Sequence, residues 1–323
     1  MHFAFDAYVT SALFDKDGRA AFALGDGTVR FEGGDAAVQA HQGAALCAAL
    51  HPSGEGLLTG GDDGRLAWVR RTGADTLAEI PGRWIDTVAA SSASGLLAFG
   101  AGRELHVRDV ADPAFQRLFR HETSIADLAF DPKGRRLAAA TYGGVWLWYA
   151  RIADQKPAIL KWAGSHLAVA WSSDGRFVVS AMQENQLHGW RVADEKNLRM
   201  GGYPAKVRSL AFLAKGALLA TAGANGAVIW PFAGSTGPMG KQAAEVNYDE
   251  SAMVLRVAAA PATTWMAAGL DDGRVWASDL SASKVIPLKA EKGPPITALA
   301  MTPDARRVAW GDEAGGAGVA SVG

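Results

Sequence analysis

Three acidic pairs, Asp62-Asp63, Asp271-Asp272 and Asp312-Glu313, are the first candidates for chemistry in this 323-residue chain. Side-by-side carboxylates could ligate calcium or zinc, and a metal held that way could polarise a substrate. The surrounding residues argue for a plainer role. "GGDDGRLAW" from Gly60 and "GLDDGRVWA" from Gly269 put the pairs where a tight turn needs Asp and Gly, and no His or Cys cluster stands at ligand spacing. Of the seven histidines, His41, His121 and His166 each precede a short apolar run, whereas His106 and His188 lie inside such runs. Cys47 is the only cysteine, so no internal disulfide can form, and in an apolar run it acts as a small hydrophobe. "GDGTVRFEGG" is glycine-rich but opens no helix that could hold phosphate. No catalytic residue, cofactor site or metal site is assigned.

The two "DDGR" phrases are 209 residues apart, and 209 divided by five is 41.8. A shorter repeat explains the interval. Apolar runs close at Phe14, Leu50, Ala90, Phe130, Trp171, Phe212, Ala259 and Met301, at spacings of 36, 40, 40, 41, 41, 47 and 42 residues. After each come an alternating run, a tight polar turn, a third run and a weaker fourth. Short runs rich in Val, Leu, Trp and Phe, bounded by Gly, Asp and Ser, are strands, and no segment keeps a helical period. The Asp-Gly and Asn-Gly pairs at Asp26-Gly27 and Asn225-Gly226 suit two-residue hairpins, whose central residues need positive φ. Four strands per repeat is the pattern of a β-propeller blade.

Eight sets of first to third strands have only seven fourth strands between them, near residues 36–40, 76–80, 115–119, 158–162, 197–201, 244–248 and 284–288. The leading "MHFAF", with Phe3 and Phe5, supplies the missing one. The expected fold is all-β: one domain over residues 1–323, an eight-bladed propeller of four-stranded antiparallel blades closed by the N-terminal strand. Seven blades with a stray repeat is the alternative. Ala-rich first strands such as "AALCAAL" are expected to pack where blades converge, because small side chains fit there without strain.

The repeats resemble the WD-repeat family along the whole chain. In "VVSAMQENQLHGWRV" Trp190 stands at the family's third-strand tryptophan, and Trp148 does so in the fourth copy. No Trp-Asp or Gly-His dipeptide occurs, and Asp109 and Asp279 keep the aspartate alone. The resemblance implies a hydrogen-bonded set of His, Ser/Thr, Asp and Trp that is incomplete in most copies. The second copy keeps most of it, with His41, Thr59 and Asp62 or Asp63. It also implies a structural role for His41, His121 and His166, and a non-catalytic scaffold that holds a protein or peptide partner on one face.

Lys plus Arg is 32 and Asp plus Glu is 33, so no net field draws nucleic acid or an anionic membrane. No basic leader and no spanning-length apolar run occur, which points to a cytoplasmic monomer. Candidate partner contacts lie in the loops that join one repeat to the next: Arg83, Trp84, Trp162, His166, Tyr203, Lys206 and Tyr248. Exposed aromatics interleaved with cations are the material of binding hot spots and favour a peptide with acidic residues. The alternative function is a metal-dependent enzyme or small-ligand binder at a channel mouth, with Asp62 and Asp271 as ligands. Residues 231–250, about six longer than the usual spacing, are expected to form a mobile loop.

Overall fold

The computed structural model describes residues 1–34 and 36–322. The chain is a β-propeller of antiparallel sheets, and the only helix among the described residues is a 3₁₀ turn at Ala214–Gly216. It comprises two compact units, Leu13–Val169 and Met1–Ala12 with Ala170–Gly323. Among the described residues the strands form seven sheets, six of four strands and one of six, so the count is the seven of the alternative and not eight separate blades. Repeats four and five share the six-stranded sheet because two of its strands are each continuous over 14 residues. Arg136–Tyr149 carries the second and third runs of repeat four and turns back on itself at Gly143 and Gly144, so that Ala150 N donates to Arg135 O at 2.9 Å. Ala158–Trp171 runs from the fourth strand of repeat four into the first strand of repeat five without a break.

Burial follows the place of a strand within its sheet. The second strands Leu57–Gly61, Leu96–Ala101 and Phe177–Met182 are buried at every position. Each has a strand on either side and packed layers above and below, so its sequence reads as an unbroken apolar run. The Ala-rich first strand Ala45–Leu50 is only half-buried beyond Ala45. Second-strand glycines meet the neighbouring repeat closely. A Cβ at Gly60 would lie 2.6 Å from Ile85 Cγ2, and one at Gly311 would lie 2.4 Å from Val9 Cβ.

First strands of neighbouring repeats are tied by side chains. Within residues 13–169, Asp127 Oδ2 accepts from Val169 N at 2.8 Å. Within the other unit, Ser209 Oγ accepts from Val257 N at 2.9 Å, Arg256 Nε donates to Thr297 O at 2.7 Å, and Thr297 Oγ1 donates to Val9 O at 2.6 Å. These bonds satisfy backbone groups that no adjacent strand reaches. Burial pushes the Asp127 carboxyl up to about 6, against the pull of its two N–H donors, Val169 and Leu128.

The N-terminal strand His2–Ala4 pairs antiparallel with residues 316–318 and completes the last sheet as its outer member. The 231–250 segment is tethered near its start, although most of its residues are exposed. Arg176 Nη1 and Arg191 Nη1 donate to the carbonyls of Gly234 and Ser235 at 3.2 and 2.8 Å, and Gly237 and Pro238 are buried.

Candidate interaction surface

Polar sets inside the sheets decide which loop residues face inward. In repeat two, His41 Nδ1 bonds Asp63 Oδ1 at 3.0 Å and Nε2 bonds Thr59 Oγ1 at 2.9 Å. An ionised carboxylate only accepts, so Nδ1 carries the proton and Nε2 accepts from the threonine. Asp63 is thus the member of this set, and it also accepts from Gln42 N and Arg65 N. Burial acts to raise its carboxyl, but these donors outweigh it and hold the group below the ordinary carboxylate value.

Repeat six uses a tyrosine in place of the histidine. The Tyr203 hydroxyl bonds Thr221 Oγ1 and accepts from Trp230 Nε1, both at 2.6 Å, and burial pushes the phenol up to about 12. Repeat four has no aspartate in its Tyr142–Gly144 turn. Trp148 Nε1 donates to His121 Nε2 at 3.0 Å, so the proton of the buried ring sits on Nδ1, toward the Arg103 backbone. Burial pulls His121 down to about 4.

A pH dependence follows. Folded His121 binds its proton more weakly than the unfolded chain, so its contribution is whole above pH 6.5, declines as pH falls toward 4 and is level below that. The loss should reach roughly 2 kcal/mol, less than the full shift because the ring keeps some contact with water. Urea unfolding at pH 7 and pH 4 should show a smaller acid loss in His121→Gln, whose carbonyl can still accept from Trp148. An equal loss in both proteins would refute this role.

The acidic pairs serve turns. Asp271 Oδ1 accepts from Met253 N at 2.9 Å, and Asp312 Oδ1 accepts from Ala314 N and Gly316 N at 3.0 and 2.7 Å. Among the described residues no group of three His, Cys, Asp or Glu side chains is placed to hold a metal ion. The Cys47 thiol lies against Ile85 O, and burial pushes it up to about 12, far from a reactive thiolate.

Of the seven candidate contacts, Arg83, Trp84 and Tyr248 are exposed, Trp162 and Lys206 are half-buried, and His166 and Tyr203 are buried. Trp84 is 62% exposed, while Ile85 beside it is fully buried and its N–H donates to Gly61 O at 3.0 Å. The anchored isoleucine holds the neighbouring indole outward. Around it Arg83 Nη1 and Arg120 Nε lie 3.8 and 3.4 Å from the two oxygens of Glu104. Glu104 and Arg120 lie on strands that only the fold brings beside the Trp84 loop, so repeat-by-repeat reading passes over them. His166 Nε2 bonds Trp162 O at 3.0 Å, which makes that pair an internal brace of its loop.

In the other unit, Tyr248 is 62% exposed at the rim of a groove of about 550 Å³ floored by Trp276, Val285 and Pro287. Its arginine is matched by acids: Arg274 pairs with both Asp249 and Asp272. The Ser251 hydroxyl and the Arg274 guanidinium hold Asp249 well below the usual carboxylate range.

Antiparallel sheets repeated at this period define a β-propeller, and one copy holds a His–Thr–Asp set. Residues 36–67, the copy that holds His41, Thr59 and Asp63, match the family described as WD domain, G-beta repeat. The chain is similar to the crystal structure of the computationally designed Ika8 protein, with TM-score 0.78 and 17% identity over 99% of this chain and 98% of the other. It is also similar to a chain in the crystal structure of the mitotic checkpoint complex, with TM-score 0.67 and 18% identity over 100% of this chain and 95% of that one. No curated protein matches the sequence.

Proposed function

We propose that this propeller is a non-catalytic platform for a protein or peptide partner, with Trp84 and Arg83 at the centre of the contact. The observation that carries the reading is an indole 62% exposed beside a fully buried isoleucine. A large ring already held in place buries apolar area at little entropic cost. Arg83 and Arg120 flank the ring's loop and favour acidic residues in the partner. Likeness to a chain from a multiprotein complex supports the same role.

The test is affinity capture from the native lysate with the wild-type chain and with Arg83→Ala/Trp84→Ala. Both side chains are exposed, so the variant should melt as the wild type does. Its hold on the partner should weaken by about 30-fold, the loss typical of one hot spot. A folded variant that still captures the same protein would place the contact elsewhere.

A further inference from the structure

A second surface of the unit formed by residues 13–169 lies at the other end of its strands. Thr87–Ser91 starts after the Trp84 loop and ends just before Ala93 and Ser94, about 17 Å away at the rise of an extended strand. There Ser94, Lys133, Arg135, Tyr149, Arg151 and Ile152 line a groove of about 650 Å³. Tyr149 and Ile152 are 53% and 49% exposed, and Val110, 38% exposed, stands beside Gly95 at the same end.

The apolar pair is held rigid. Gln155 Nε2 donates to the carbonyls of Tyr149 and Ile152, each at 2.7 Å, while Tyr149 N donates to Gln155 Oε1 at 2.9 Å. One amide thus clips the turn from both sides. A ring and an aliphatic chain fixed before binding lose little freedom on contact.

Charge sets this groove apart. No acidic residue is among those that line it. Arg151 pairs with Asp109 at 2.5 Å, whereas Lys133 and Arg135 are exposed and have no ion-pair partner among the described residues. The Tyr248 groove, by contrast, has its arginine matched by aspartates. We infer that the Lys133–Ile152 groove docks an acidic peptide segment with one apolar anchor residue, which would seat on Tyr149 and Ile152 while its carboxylates meet Lys133 and Arg135. Two uncompensated cations beside an aliphatic side chain suit a short peptide better than a phosphate backbone, which is bound by many more.

The test is selection of a phage-displayed library of random twelve-residue peptides on the wild-type chain, with counter-selection on Lys133→Glu/Arg135→Glu. The enriched peptides should carry Asp or Glu next to Leu, Ile or an aromatic residue. The best of them, made synthetically, should bind the charge-reversed variant at least about 30-fold more weakly and Tyr149→Ser/Ile152→Ser about 10-fold more weakly. Its affinity for the wild type should fall as salt rises. No enrichment, or peptides that bind the charge-reversed variant equally well, would overturn the inference. So would tight binding of a labelled twelve-residue oligouridylate, or self-association that is lost in Tyr149→Ser/Ile152→Ser, because either assigns the groove to another occupant. The Trp84 loop is unaltered in all these variants, so the two surfaces succeed or fail separately.

Discussion

Removal of residues 1–7 should unfold the last sheet and drive the chain to self-associate. His2–Ala4 pairs with residues 316–318, and Phe5 N donates to Gly315 O at 2.9 Å and Val319 N to Met1 O at 3.0 Å. Phe3 and Phe5 stack at 5.9 Å, and His2 meets the buried Trp310 edge-on at 6.0 Å. A strand of this size contributes roughly 4 kcal/mol, taking about 1 for each backbone hydrogen bond and the rest from half-buried rings. The second consequence is the graver one. Gly316–Ser321 would become an edge strand of small residues with a free row of N–H and C=O groups, the kind of edge that recruits another chain. Melting and light scattering of the truncated chain should show a lower transition and large particles. A truncated chain that stays monomeric and melts as before would show that the N-terminal strand is dispensable.

Gly60→Val should be nearly as damaging, although the change adds only an apolar side chain. A Cβ there would lie 2.4 Å from Ile85 O, 2.6 Å from Ile85 Cγ2 and 2.8 Å from Cys47 Sγ. A flexible side chain could swing away, but the Ile85 carbonyl belongs to a backbone fixed by the bond from Ile85 N to Gly61 O. The sheets must therefore move apart. Overpacking of a close-packed core usually costs about 1–3 kcal/mol, and a backbone obstacle puts this site at roughly 3 kcal/mol or above. Cys47→Ala in the same chain should recover only a small part, because it frees the 2.8 Å contact and leaves the carbonyl in place. Denaturant midpoints of the single and double variants check this, and a Gly60→Val chain as stable as the wild type would show that the sheets separate freely.

Turn chemistry and strand period are local properties, and they were legible. The fourth strands expected near residues 115–119, 197–201 and 284–288 are found at Gln116–Arg120, Lys196–Met200 and Lys284–Lys289, and the N-terminal strand sits where a missing fourth strand required it. The set of His41, Thr59 and an aspartate was implied by the resemblance, because all lie within one repeat, but the choice of Asp63 over Asp62 came from the fold.

Which way a loop side chain turns was not a local matter. Trp84 and Tyr203 look alike in sequence, each an aromatic in a loop between repeats, yet one is 62% exposed and the other 8%. Tyr203 goes inward because Thr221 and Trp230 offer its hydroxyl two partners, while at Trp84 it is Ile85 that takes the inner position. The same holds for the 231–250 segment, which Arg176 and Arg191 draw down from a different repeat, and for the groove at Tyr149, where Lys133 and Arg135 arrive from another turn. Repeats four and five fall in one sheet because Ala158–Trp171 stays extended through the link between them, a backbone option that residue types alone leave open. Strands, turns and their order could be read along the chain, since those depend on neighbours within a few residues. The tertiary structure alone decided burial, charge pairing and the surfaces left for a partner, because each depends on residues that only folding brings into reach.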